Sequence, residues 1–264
     1  SELVAIVGNS TWECMQAKKA LEVEWEQDST AESTSYHEEE LTALLEKPTE
    51  TPARKDGDVN AAFAKAAKIV ESTYSAPYLA HNTMEPMNFF AHVTPEKAEL
   101  LGPIQTPEFT EKTVAARLGM PVEKIDIMMT RMGGGFGRRL YGPFVIEAAV
   151  ISQKMNAPVK LVYSREDDMT QGTYRPSYKV KFKAGLDDKG NLIAWHVRGA
   201  GTNDDLIFEN RFPAGAVDNY LAEKHSLQTN VTTGAWRAPR SNFMAGAEQA
   251  FIDEVAEAAG KDLL

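Results

Sequence analysis

The chain has 264 residues, 43% of them hydrophobic and 25% charged, with a formal net charge of −10. That is the composition of a globular protein with a sizeable core. The acidic balance argues against a nucleic-acid partner, which needs a basic face, and no apolar run approaches the roughly 20 residues of a membrane-spanning helix. Cys14 is the single cysteine, so there is no internal disulfide and no thiolate set for an iron–sulfur cluster. The stretch from Ser1 to Val7 carries no basic and apolar leader pattern. Both ends read as cut from a longer protein, and the compartment stays open.

Residues 3–7 read as an apolar strand. Ser10 to Glu13 has capping-box spacing and opens a helix toward Ala20, and 23–25 alternates as a second strand. The acidic stretch from Asp28 to Asp58, with Pro48 and Pro52, reads as a surface connection holding a short helix at Glu38–Leu45. It divides the chain into domains at 1–57 and 58–264. From Val59 to Val70 the spacing of Phe63, Ala66, Ala67 and Val70 predicts a helix. The stretch from Tyr74 to Asn88 is rich in aromatics, proline and methionine, without helical period.

Phe89–Val93 and Lys97–Leu101 read as paired strands leading to Gln105. Thr106 caps and Pro107 opens a helix that ends at Gly119. Ile125–Met129 is an apolar strand. The hairpin from Tyr178 to Ala200 turns at Asp187–Asn191, residues 201–231 are loop-rich, and Asn242–Ala259 is a helix with Phe243, Ala247, Ala250, Phe251 and Val255 on one face. Mixed strands, hairpins and helices give an α+β class.

The chain centres on Met132-Gly133-Gly134-Gly135-Phe136-Gly137-Arg138-Arg139, between the strand at 125–129 and a helix from Phe144 to Met155. Glycines let a ligand approach the main chain closely, and strand, glycine loop and helix together can turn backbone N–H groups toward an anion or oxo group. No Lys-Ser/Thr follows, so this is not a Walker loop. Arg138 stands where the dinucleotide pattern needs its third glycine, although a strand at 159–163 and Glu166 keep a nicotinamide-binding alternative open. Arg138 and Arg139 at the loop mouth favour an anionic ligand, or else are two solvated arginines before a helix.

Gln105, between two prolines at a strand end, can reach a ligand with its amide or brace its own loop. Arg237 and Arg240 beside Trp236 make either cation–π packing or an anion clamp. His81 with Glu85 suggests acid–base or metal chemistry, against the simpler reading of a histidine satisfied by a buried partner.

Taken together, the 132–137 loop, Gln105 and Trp236-Arg237-Ala238-Pro239 resemble the molybdenum hydroxylase family of xanthine dehydrogenases and aldehyde oxidases. The segments 80–87, 137–139 and 164–169 resemble the large subunit of its isoquinoline 1-oxidoreductase branch. The resemblance runs from about Val4 to Gly260. It implies the first half of a molybdenum cofactor-binding domain, preceded over residues 1–57 by the end of a small hammerhead-like domain. It also implies a molybdopterin cytosine dinucleotide cofactor in the full-length protein, absent from this stretch alone. Gln105 matches the glutamine beside the metal's oxo ligand, Phe136 the residue whose main-chain N–H faces the metal centre, Gly134, Gly135 and Gly137 the loop glycines, and Arg237 a second contacting loop. The implied reaction is hydroxylation of an N-heterocycle, or oxidation of an aldehyde, with water as oxygen source. Electrons would leave through a small [2Fe-2S] subunit. Arg139 and Leu140 stand where purine hydroxylases carry lysine and glutamate. The family's general-base glutamate has no counterpart here, since Gly246-Ala247-Glu248 lies in a helix. A non-catalytic scaffold that docks an electron-transfer partner is the second alternative.

Overall fold

The computed structural model describes residues 3–26, 32–204, 206–239 and 241–262. In chain order the elements are α1 (Thr11–Ala20), α2 (Thr34–Leu45), β1 (Arg54–Asp56), α3 (Val59–Lys65), β2 (Lys68–Ala76), β3 (Asn88–Val93), β4 (Ala98–Gly102) and α4 (Pro107–Leu118). There follow β5 (Ile125–Met129), α5 (Pro143–Met155), β6 (Val159–Val162), α6 (Arg165–Thr170), β7 (Tyr178–Leu186), β8 (Leu192–Thr202), β9 (Tyr220–Leu227) and α7 (Ser241–Ala259). Mixed sheets with helices bear out the α+β class. Two compact units result, one formed by Ser1–Ala31 with Ala80–Gly172 and the other by Glu32–Leu79 with Thr173–Leu264. Position 57/58 falls within the second unit.

The first unit is built on a four-stranded sheet of order β5-β4-β3-β6. β3 pairs antiparallel with both β4 and β6, and β4 runs parallel to β5. β3 alternates cleanly, placing Phe89, Ala91 and Val93 inward, where they meet Leu100, Val114, Phe144 and Ala148. α4 stops at Gly119, which is left-handed at φ 68. Thr106 does not cap it with its side chain; the hydroxyl instead donates to Leu140 O at 2.6 Å, tying the start of α4 to the end of the glycine loop. α6 opens with a full capping box, with Ser164 and Asp167 each bonding the other's backbone N–H.

The second unit is a five-stranded sheet of order β1-β9-β8-β7-β2. Along β7, Tyr178, Val180, Phe182 and Ala184 point inward and three lysines point out. α7 covers the inner face, with Phe251 stacked on Phe182 at 5.1 Å and edge-on to Trp195 at 5.1 Å. The expected face of this helix is buried at Phe243, Ala247, Phe251 and Val255, but Ala250 is exposed and Met244 is buried in addition.

Three further expectations need correction. Residues 3–7 and 23–25 form no strand among the described residues, because alternation favours extended backbone but a ladder needs a neighbour's N–H and C=O groups. The helix expected over 59–70 ends at Lys65, and 68–76 become β2, held by a nine-residue register with β7. Its β-branched and aromatic residues Ile69, Val70, Thr73 and Tyr74 suit a pleated surface better than a helix. The loop-rich stretch contains β9, an internal strand between β1 and β8. Its charged residues hid it. Glu223 is 2% exposed and binds His196 Nε2 at 2.6 Å, Arg198 Nε at 2.8 Å and the Thr49 N–H at 2.7 Å. Residues 28–31 of the acidic connection and Arg240 lie outside the described residues.

Candidate functional site

The glycine loop leaves β5 and returns through a turn at 135–140 to α5. Gly134 and Gly137 adopt φ 100 and 108, and Phe136 takes φ 54, a left-handed conformation that a bulky side chain rarely accepts. Glycine is needed at 135 for space rather than for φ. A Cβ there would stand 2.5 Å from Gln105 Oε1, so the bare main chain is what lets Gln105 lie against the loop.

Gln105 is exposed, yet its amide is oriented. Its Oε1 accepts from the N–H of Gly137 at 3.1 Å and of Arg139 at 3.3 Å, and its own N–H donates to Arg139 O at 3.1 Å. Two backbone donors on one oxygen fix the amide's sense. The NH2 group is therefore the outward donor. The oxygen end of the side chain braces the loop, which leaves the NH2 end as the one a ligand would meet.

The loop is not a row of bare N–H groups. Those of Gly133, Gly137 and Arg139 are taken internally, by Glu85 Oε2 at 2.7 Å and by Gln105. The N–H groups of Gly134 and of the buried Gly135 take no partner among the described residues.

Both arginines contradict the expectation that they sit at the loop mouth or in solvent, since Arg138 is 2% and Arg139 0% exposed. Arg139 reaches behind the loop. Its Nε donates to Gly134 O at 2.8 Å, Nη1 to Pro103 O at 3.3 Å, and Nη2 to Glu85 O at 2.9 Å and Glu85 Oε2 at 3.2 Å. Arg138 turns the other way, toward Gln171 O at 2.9 Å and Asp168 Oδ1 at 3.6 Å. A buried guanidinium must be paired and hydrogen-bonded, and the backbone carbonyls of Glu85, Pro103, Gly134 and Gln171 supply most of those partners.

Glu85 is tied to the same loop. Its backbone N–H donates to Gly133 O at 3.2 Å, and its carboxylate receives Gly133 N–H, Arg139 and the Asn88 amide. Burial works against its ionised form, but the Gly133 N–H, the Asn88 amide, Arg139 and Lys160 together hold its pKa below the ordinary value. Burial pulls Arg139 below its usual range while Glu85 holds it up. Sequence reading missed this pair. The two residues stand 54 positions apart, so no local pattern marks them as partners.

Beneath α5, Tyr163 donates a short hydrogen bond to Glu147, and burial raises the pKa of both groups. Arg237 belongs to the second unit. Its loop is tethered by Asn242 Nδ2, which donates to Trp236 O at 2.8 Å and Ala238 O at 3.0 Å, and Ala238 takes φ 54. Glu248 pairs with Arg211 at 2.6 Å, consistent with a helix residue rather than a reacting base. Among the described residues no three His, Cys, Asp or Glu side chains are grouped to hold a metal ion, and no helix is long and apolar enough to cross a membrane.

Residues 44–264 match the molybdopterin cofactor-binding domain family, and the chain belongs to it. Over 269 residues it is 26% identical to the aldehyde oxidoreductase molybdenum-binding subunit of Escherichia coli, covering 99% of this chain and 36% of that one. It is 27% identical over 251 residues to the xanthine dehydrogenase of Blastobotrys adeninivorans, covering 85% and 18%. The fold resembles quinoline 2-oxidoreductase from Pseudomonas putida 86, with a TM-score of 0.73 at 21% identity over 96% of this chain and 35% of that one. The chain thus spans 36% of the length of the Escherichia coli relative and 18% of that of the Blastobotrys adeninivorans one.

The loop fits such a cofactor. The close approach permitted at Gly135, two main-chain N–H groups without internal partners and an outward amide donor suit a ligand rich in acceptors.

Proposed function

We propose that this chain supplies the glycine-loop half of a molybdopterin site in a larger oxidoreductase, and that Gln105, Gly134, Gly135, Phe136, Gly137 and Arg237 are its cofactor-facing residues. The observation that carries the reading is the oriented Gln105 amide, fixed by two backbone N–H groups so that its NH2 points outward. When bound, the cofactor supplies two-electron oxidation and transfer of a water-derived oxygen to the substrate. The chain's own residues bind and orient. The Gln105 NH2 donates to an acceptor on the cofactor, Gly134 and Gly135 admit it to the main chain, and the buried Arg139 behind them keeps the loop in place.

The substrate class is an aldehyde or an electron-poor N-heterocycle. Support comes from relatives named for aldehyde and quinoline substrates. Purines are disfavoured by Arg139 and Leu140 at the positions where purine hydroxylases resemble one another in carrying lysine and glutamate. The cytosine dinucleotide form of the cofactor, a [2Fe-2S] partner, a hammerhead-like residues 1–57 and a general base in the rest of the protein belong to the same proposal.

The test is metal analysis of the full-length protein with a Gln105→Glu variant. The glutamate keeps an oxygen for the Gly137 and Arg139 N–H groups but loses the outward donor. Molybdenum per chain should stay near the wild-type value while turnover falls about 10- to 1000-fold, the range for loss of one oriented donor. Wild-type protein without molybdenum, or a variant with unchanged turnover, would refute the assignment. Gln105→Ala is the less clean change, because it also strips an acceptor from two loop N–H groups.

A further inference from the structure

We infer that Glu85 and Arg139 are a positioning pair that holds the Gly133–Gly137 main chain and the Gln105 amide in register with each other. The inference rests on the functional reading above only for what the loop presents; the brace itself stands on geometry. Arg139 gathers acceptors from three separate stretches, Glu85, Pro103 and Gly134. Its backbone meanwhile brackets Gln105 from both sides, accepting from the Gln105 N–H at 3.1 Å and donating to Gln105 Oε1 at 3.3 Å. Glu85 closes the frame from the opposite side. It exchanges two hydrogen bonds with Gly133, at 2.7 and 3.2 Å, and receives the guanidinium.

Sterics point the same way. A Cβ on Gly133 would lie 2.6 Å from Glu85 Cβ, and one on Gly135 2.5 Å from Gln105 Oε1. Loop and frame therefore touch at two glycines, with no slack for either to shift alone. A planar fork with charge-assisted bonds to several carbonyls fixes direction as well as distance, which a lysine ammonium does not. Arg139 carries no exposed surface and so meets no ligand itself. It acts through Gln105 and the loop.

The charged groups that bear on the pair are Arg139 and Lys160 on Glu85, and Glu85, Asp168 and Arg138 on Arg139. Because Glu85 is held below its ordinary pKa, its contribution is complete above that value, 4.5, and is lost as pH falls through the lower folded value. Acid should therefore open the loop before it opens the sheets.

The test is amide hydrogen exchange in the full-length protein, expressed as protection factors so that the intrinsic pH effect cancels. Glu85→Gln keeps an acceptor for Gly133 but no charge, and Arg139→Lys keeps charge but not the fork. Arg139→Lys should lower protection at 133–140 by roughly 10-fold or more, and Glu85→Gln by about 3-fold. Protection across 178–186 should not change. In wild-type protein the same loop amides should lose protection on acidification below pH 4.5, the ordinary value for the group, a dependence that Glu85→Gln should abolish. Unchanged loop protection in both variants, or a loss spread evenly over β3 and β4, would overturn the inference. Wild-type protein that holds no molybdenum while the variants still loosen the loop would leave the brace standing and remove the functional reading instead.

Discussion

The two halves of the molecule are held by different physics. In the second unit an apolar layer does the work: Phe182, Trp195 and Phe251 meet under α7 at ring distances of 5.1–5.8 Å, and the inward positions of β7 are buried in strict alternation. In the first unit the glycine loop is held by other means. It is fixed by buried charge, with Arg139 at 0% exposure holding the Gly134 carbonyl and Glu85 holding the Gly133 N–H. Apolar packing is non-directional and tolerates small adjustments. Charge-assisted hydrogen bonds set angles, and a loop that must present main-chain groups to a ligand needs angles.

The largest effect that would break this contrast comes from the core. Phe251→Ala removes the ring stacked on Phe182 and should destabilise the second unit by about 3–5 kcal/mol. Urea denaturation followed by tryptophan fluorescence reads it, since Trp195 lies edge-on to Phe251. Hydrogen exchange at 133–140 should stay as in wild type. A loop that loosened together with this core would mean that the two halves are one cooperative system.

The next effect is local. Gly135→Val places a branched side chain where Gln105 Oε1 already stands 2.5 Å from the position of a Cβ. Overpacking of this kind costs about 1–3 kcal/mol, and it displaces the amide. The full-length variant should keep its far-UV circular dichroism and lose most of its molybdenum. Full metal content would show that the loop has more room than the geometry allows.

The smallest sharpens the role of buried charge. Burial raises the pKa of Glu147, so folding favours its protonated form; that stability is complete below the ordinary value of 4.5 and is lost as pH rises through the higher folded value. Glu147→Gln keeps the group neutral at every pH. The fall in denaturation midpoint between about pH 4 and about pH 8 should then be smaller in the variant than in wild type. An identical fall would assign the pH dependence to other groups.

Much of this architecture was written locally. The glycine run with its following helix, the Ser164 capping box, the Gly119 stop and the hairpin from β7 to β8 each depend on residues within a few positions of one another, and local sequence determines such features. The resemblance that led to the molybdopterin cofactor-binding domain family also rested on contiguous motifs, and the match over residues 44–264 bears it out. The destinations of the long-range partners were decided only in three dimensions. β9 is a strand because β8 and β1 flank it and its Glu223 finds His196, Arg198 and the Thr49 N–H. Residues 68–76 left the helical pattern because nine partners on β7 outweigh a four-residue apolar spacing. Arg138 and Arg139 read as solvated or ligand-facing because nothing nearby in the chain can neutralise them. Glu85 precedes Arg139 by 54 residues, and the loop's own carbonyls become acceptors only once the turn has formed. The energy of a buried charge depends on every neighbour within a few ångströms, and those neighbours are chosen by the fold.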